Sequence, residues 1–73
     1  MTRRSISFTA SARPRRPSDA VRHLYMAGVA LPSARRMVAS AEAGETASDT
    51  FMMLPGNGGL LRALAASGYD AIL

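Results

Sequence analysis

Residues 18–44 read S-D-A-V-R-H-L-Y-M-A-G-V-A-L-P-S-A-R-R-M-V-A-S-A-E-A-G, and this stretch limits the fold more than any other. Val21, Leu24, Tyr25 and Gly28 follow the i, i+3, i+4, i+7 spacing of one helical stripe. Ala34, Met37, Val38 and Ala41 repeat that period after Pro32, a residue suited to the first position of a helix. Ser18 is a fitting N-cap, with Asp19 near the positive end of the helix. Gly28 and Gly44 can end the two helices in the left-handed conformation. The link through residues 29–31 is short, so the helices must be neighbours packed as a hairpin or corner.

The flanks supply strands. Ile6, Phe8 and Ala10 point one way and Ser5, Ser7 and Thr9 the other, which predicts a strand over residues 4–10. Residues 11–17 read as a loop, because Pro14 and Pro17 oppose regular structure. Residues 46–50 read as a polar connection, and residues 51–54 as a short buried strand. Pro55 and the run Gly56-Asn57-Gly58-Gly59 make a turn. Leu60, Leu61, Leu64 and Ala65 form the apolar face of a third helix with Arg62 outside. Gly68 ends it, and residues 69–73 form a last strand. The predicted order is β-α-α-β-α-β. It describes a two-layer α+β fold, a three-stranded sheet covered on one face by three helices. Residues 1–4 are expected as a flexible basic N-terminus and residues 5–73 as a single domain, with the strand order left open.

A chain of 73 residues makes one domain, and a core this small commits most apolar positions to packing. Little is left for a buried catalytic pocket. Cysteine is absent, which removes disulfides and thiolate metal sites. No apolar run is long enough to span a bilayer. The arginine-rich start has no apolar segment of the secretory type. Its serines suit a transit peptide superficially, but the alternation of residues 6, 8 and 10 favours a strand. A cytoplasmic, non-membrane protein is expected.

The formal charge of +4 is unevenly placed. Residues 1–36 hold eight arginines and one acid, Asp19, a net of +7. Residues 37–73 hold Arg62 against Glu42, Glu45, Asp49 and Asp70, a net of −3. Every basic residue is arginine, which favours planar contact with carboxylates or phosphates. Such asymmetry points to an acidic protein surface or to nucleic acid. The candidate partner-binding residues are Arg13, Arg15 and Arg16 in the loop and Arg22, Arg35 and Arg36 on the first two helices.

No catalytic, cofactor or metal site is expected. His23 is the lone histidine and has no partners at ligand or acid–base spacing, so it reads as a surface or boundary residue. Glu42 and Glu45 read as a solvated helix end. The glycine run before the third helix lacks the lysine and spacing of a phosphate-binding loop, so it reads as a tight turn. Met26, Met37, Met52 and Met53 read as core filler. Tyr25 reads as core with its hydroxyl at the edge.

Two segments carry a resemblance: G-V-A-L-P-S-A-R-R-M-V at residues 28–38 and L-L-R-A-L-A-A-S-G-Y-D-A-I-L at residues 60–73. Together they resemble the C-terminal domain of the bacterial ribosomal stalk protein and, more distantly, the ClpS adaptor of the Clp protease. In the stalk family the first two helices meet GTPase translation factors through basic side chains. By residue match that surface would hold Arg22 and Arg35, flanked by Arg36. The chain departs from the family in having no lysine, Ala30 in place of a glycine, Pro32 in place of a lysine, and neither the stalk dimerisation segment nor its hinge. The paired aspartates of the ClpS peptide pocket are also absent.

The expected function is that of a small non-enzymatic adaptor or regulator, of which an antagonist or co-regulator is one form. It would bind an acidic protein surface, such as a translation factor or another regulator, through the arginine-bearing face of the first two helices. The alternative is a nucleic-acid-binding regulator or antitoxin of the ribbon-helix-helix type, because R-R-S-I-S-F-T-A at residues 3–10 resembles that family's strand.

Overall fold

The computed structural model describes residues 2–73, with elements in the order β1 (Thr2–Ala10), α1 (Pro17–Ala27), α2 (Leu31–Glu42), β2 (Ala47–Met53), α3 (Leu60–Ala66) and β3 (Tyr69–Ile72). The strands form one antiparallel sheet in the order β2-β1-β3. Its inner face is covered by the helices, giving the expected α+β fold.

The register explains the alternation. On the inner face Phe8 stands between Ala47 and Ala71, and Ile6 and Phe8 are buried. On the outer face Ser7 stands between Ser48 and Ile72, and Ser5 faces Thr50. A sheet with one wet face reads as polar on alternate residues. That is why β2 begins at Ala47, inside the stretch expected to be a polar connection. Ser48 and Thr50 face water, while Ala47 and Phe51 are buried.

β1 likewise starts before the expected Arg4. Thr2, Arg3 and Arg4 pair with Met53, Met52 and Phe51. The expected loose segment is therefore part of the sheet from Thr2 onward, and Met1 lies outside the described residues. Pairing here uses backbone groups, which arginine supplies as well as any residue.

α1 begins at Pro17, so a residue expected to interrupt structure opens the helix instead. Proline lacks an N–H that the first turn would leave unpaired anyway. Ser18 is not the cap; Arg16 holds that position and makes no side-chain capping bond. The buried stripe of α1 is Ala20, Leu24 and Ala27, with Val21 half-buried, and Tyr25 is 55% exposed rather than core. The stripe is rotated because α1 packs against both α2 and α3, and small alanines allow close approach. α2 buries Ala34, Met37, Val38 and Ala41, the stripe its spacing predicts. In α3 Leu60 and Leu64 are buried and Leu61 is exposed. Met37 fills the core, whereas Met26 and Met52 are exposed and Met53 is half-buried.

Two aromatic rings centre this core. Phe8 and Tyr69 stack with centroids 4.9 Å apart and planes 17° from parallel, both fully buried. Among the described residues no helix is long and apolar enough to cross a membrane.

The corner at Gly28 depends on having no side chain. Its φ is +121°, and an added Cβ would collide with the Met52 carbonyl of β2. Next to it, the Leu54 N–H donates to the Ala27 carbonyl at 2.9 Å, joining the end of β2 to the end of α1. Gly44 also has positive φ, +84°, but open space surrounds it. Gly28→Ala is expected to cost about 3 kcal/mol or more, from backbone strain plus collision. Gly44→Ala should cost about 1–2 kcal/mol from strain alone. Urea unfolding of the two variants checks the difference, and equal losses would refute the packed corner.

Candidate functional site

The loop of residues 11–16 owes its position to backbone pairing. The Ser11 N–H and Oγ donate to the Gly68 carbonyl at 3.0 and 2.8 Å, and the Arg16 N–H donates to the Ser67 carbonyl at 2.8 Å. The loop is thereby fastened along the turn between α3 and β3. It presents Arg13, Arg15 and Arg16 at the same end of the molecule as the last turn of α2.

Most of the candidate arginines already have carboxylate partners. Arg13 pairs with Asp70 at 3.2 Å and Arg15 with Glu42 at 3.0 Å. Arg22 pairs with Asp19 at 3.4 Å and Arg36 with Asp49 at 3.1 Å. Arg16 and Arg35 are in no ion pair among the described residues, and the same holds for Arg3, Arg4 and Arg62. With Glu45, these five account for the whole excess of +4. Exposed ion pairs contribute little to stability and exchange readily. Arg22 and Arg36 therefore remain accessible to a partner at small cost.

The unpaired arginines do not form one face. Arg35 lies on the rim of an open groove of about 530 Å³ between α1 and α2, lined by Pro17, Ser18, Val21, Val38, Ala39 and Glu42. Arg16 instead joins Arg13 and Arg62 around a cleft of about 510 Å³ between the loop and α3, with Pro14, Ala65 and Ala66 as its apolar walls. Arg35 and Arg16 thus stand at two different clefts.

Glu42 departs most from expectation. It is the exposed last residue of α2, as expected, but it is not free: its Oε1 accepts from both Arg15 Nε and the Tyr69 hydroxyl. The Tyr69 hydrogen bond, opposed by partial burial and reinforced by Arg15, holds the Glu42 carboxyl below its ordinary value of 4.5. Burial first, then the hydrogen bond to Glu42 and the Glu42 charge, push the Tyr69 hydroxyl well above its ordinary 10.0. The cluster joins the loop, α2 and β3. Sequence reasoning missed it because nothing local links Glu42 to Tyr69.

His23 is half-buried and lines a small cleft with Met26, Asn57 and Leu60. The glycine turn is braced by Asn57 Nδ2, which donates to the Leu54 and Pro55 carbonyls at 3.1 and 3.3 Å. Among the described residues no group of three or more His, Asp or Glu is placed to hold a metal ion.

The structure is that of a small antiparallel α+β domain whose distinctive features are exterior grooves rimmed by arginine. No protein-family model, no curated protein and no solved structure matches the chain.

The Glu42–Tyr69 pair sets a pH window. Glu42 has a lowered folded pKa, so its contribution is present above about 4.5 and is lost as pH falls through the folded value. Tyr69 has a raised folded pKa, so its contribution is present below about 10.0 and is lost as pH rises beyond it. Stability measured against pH should show both slopes. Glu42→Gln should flatten the acid slope, and Tyr69→Phe should remove the alkaline one. An unchanged profile in both variants would show that the pair is not coupled to folding.

Proposed function

We propose that this protein is a small non-enzymatic adaptor or regulator that binds an acidic protein surface through the groove between α1 and α2. The observation that carries this reading is Arg35, which has no carboxylate partner among the described residues and stands over an exterior groove with Val21, Val38 and Ala39 along it. An apolar groove with a free guanidinium on its rim suits a helix or loop that carries an apolar anchor beside a carboxylate. Arg22 and Arg36 can supplement Arg35 by exchanging their surface pairs. The resemblance to the stalk domain supports the same two helices and makes a GTPase translation factor one candidate partner. A partner of that kind would place the protein in the cytoplasm.

The second reading is nucleic-acid binding, favoured by the arginines left without carboxylate partners. A ribbon-helix-helix dimer, which pairs this strand with its copy, has only residues 2–6 of β1 to use. Residues 7–10 already pair with β3, and Ser7 and Phe8 lie between β2 and β3.

Capture from native lysate, with and without nuclease, separates the readings. A discrete protein partner should be retained in both arms. Arg35→Ala should weaken its binding by about 1–3 kcal/mol, and Ala39→Glu, placed in the same groove, should weaken it further while leaving the fold intact. Retention that vanishes with nuclease and falls steeply with salt would favour nucleic acid instead. Unchanged capture by both variants would remove the groove from the interface.

A further inference from the structure

β1 is nine residues long and is flanked unequally. On one side β2 pairs with it from Thr2 to Phe8, but on the other β3 pairs only with residues 7–10. In an antiparallel ladder, alternate residues aim their N–H and C=O groups to opposite sides. Residues 2–6 therefore carry ladder groups directed away from β2, and among the described residues, which end at Leu73 just past β3, no strand lies beside them. Among the described residues no other backbone hydrogen bond reaches this stretch. Thr2, Arg3, Arg4 and Ser5 are all exposed. The open lane is about 17 Å long at the usual rise per strand residue, which is the length of an ordinary strand.

Charge decides what fits it. Register puts Arg3 on the outer face, opposite Met52, and Arg4 on the inner face, opposite Phe51. Neither is in an ion pair among the described residues. A second copy pairing antiparallel about this stretch would set Arg4 against Arg4, and like charges directly opposite are destabilising. Edge charges of this kind oppose self-association. A segment with adjacent carboxylates meets the reverse situation, because neighbouring residues of a strand point to opposite faces and so reach both arginines. Both side chains are exposed and unpaired, so turning them toward an incoming strand costs only rotamer freedom.

We propose that the open half of β1, residues 2–6, accepts an extended acidic peptide segment as an added strand, with Arg3 and Arg4 pairing its carboxylates on the two faces of the sheet. Backbone hydrogen bonds supply the docking, and the arginines supply the selection. This lane lies on the sheet and shares no residue with the groove between α1 and α2, so the two readings stand or fall separately.

The test titrates the 15N-labelled protein with a capped hexapeptide, Thr-Val-Glu-Glu-Val-Thr, and follows amide shifts and hydrogen exchange. Controls are the same peptide N-methylated on either alternate set of residues, and a version with Lys-Lys at the centre. Shifts and slowed exchange should centre on residues 2–6. One N-methylated set and the Lys-Lys peptide should bind at least about tenfold more weakly, as expected for lost ladder bonds and reversed charge pairs. The double variant Arg3→Glu, Arg4→Glu keeps its core and should prefer the Lys-Lys peptide. The proposal is overturned by no shift at millimolar peptide, or by equal binding of both N-methylated sets. Shifts centred on α1 and α2, or perturbation of residues 2–6 that tracks protein concentration alone, also overturn it.

Discussion

The stack of Phe8 on Tyr69 is the contact on which the rest of this structure depends. It joins the first strand to the last across the middle of a sheet whose central strand is β1. Aromatic burial is the largest single apolar contribution available to a domain this small. Because β1 has a neighbour on each side, the same strand that carries Phe8 also sets the register of β2 and β3. The helices then have one apolar face to cover, and alanines at Ala20, Ala27, Ala34 and Ala41 let them cover it closely.

The Tyr69 ring faces the core while its hydroxyl reaches Glu42, and Glu42 in turn holds Arg15. One buried aromatic residue thus links the core to the surface and fastens the end of α2 to the loop before α1. The loop needs little else. Its backbone bonds to Ser67 and Gly68 place it against the turn before β3, and the side chains of Arg13 and Arg15 add their pairs to Asp70 and Glu42.

Charge on this surface is sorted by pairing. Asp19, Glu42, Asp49 and Asp70 each hold one arginine. What remains is distributed over separate places: the groove of α1 and α2, the cleft beside α3 and the open half of β1. Each combines an unsatisfied guanidinium with apolar surface or with free backbone groups.

Local spacing was enough to determine the element order, the α2 stripe of Ala34, Met37, Val38 and Ala41, and the corner at Gly28. Helix periodicity and glycine conformation act over a few residues, so they can be read along the chain. The α1 stripe lies one position from the one its spacing predicts, because Tyr25 and Ala20 both fit a helical period and only the placement of α1 between α2 and α3 selects between them. The polar first half of β2 reads as a connection in sequence because Ser48 and Thr50 lie on the wet face of the sheet. Which arginines are free, the capture of Glu42 by Tyr69 and the open side of β1 were decided by tertiary structure alone. The Glu42–Tyr69 contact joins residues 27 positions apart and the Arg13–Asp70 pair residues 57 apart, and the open side of β1 depends on how far one strand outruns its neighbour. Neither leaves a periodic trace in sequence, whereas the helical stripes do.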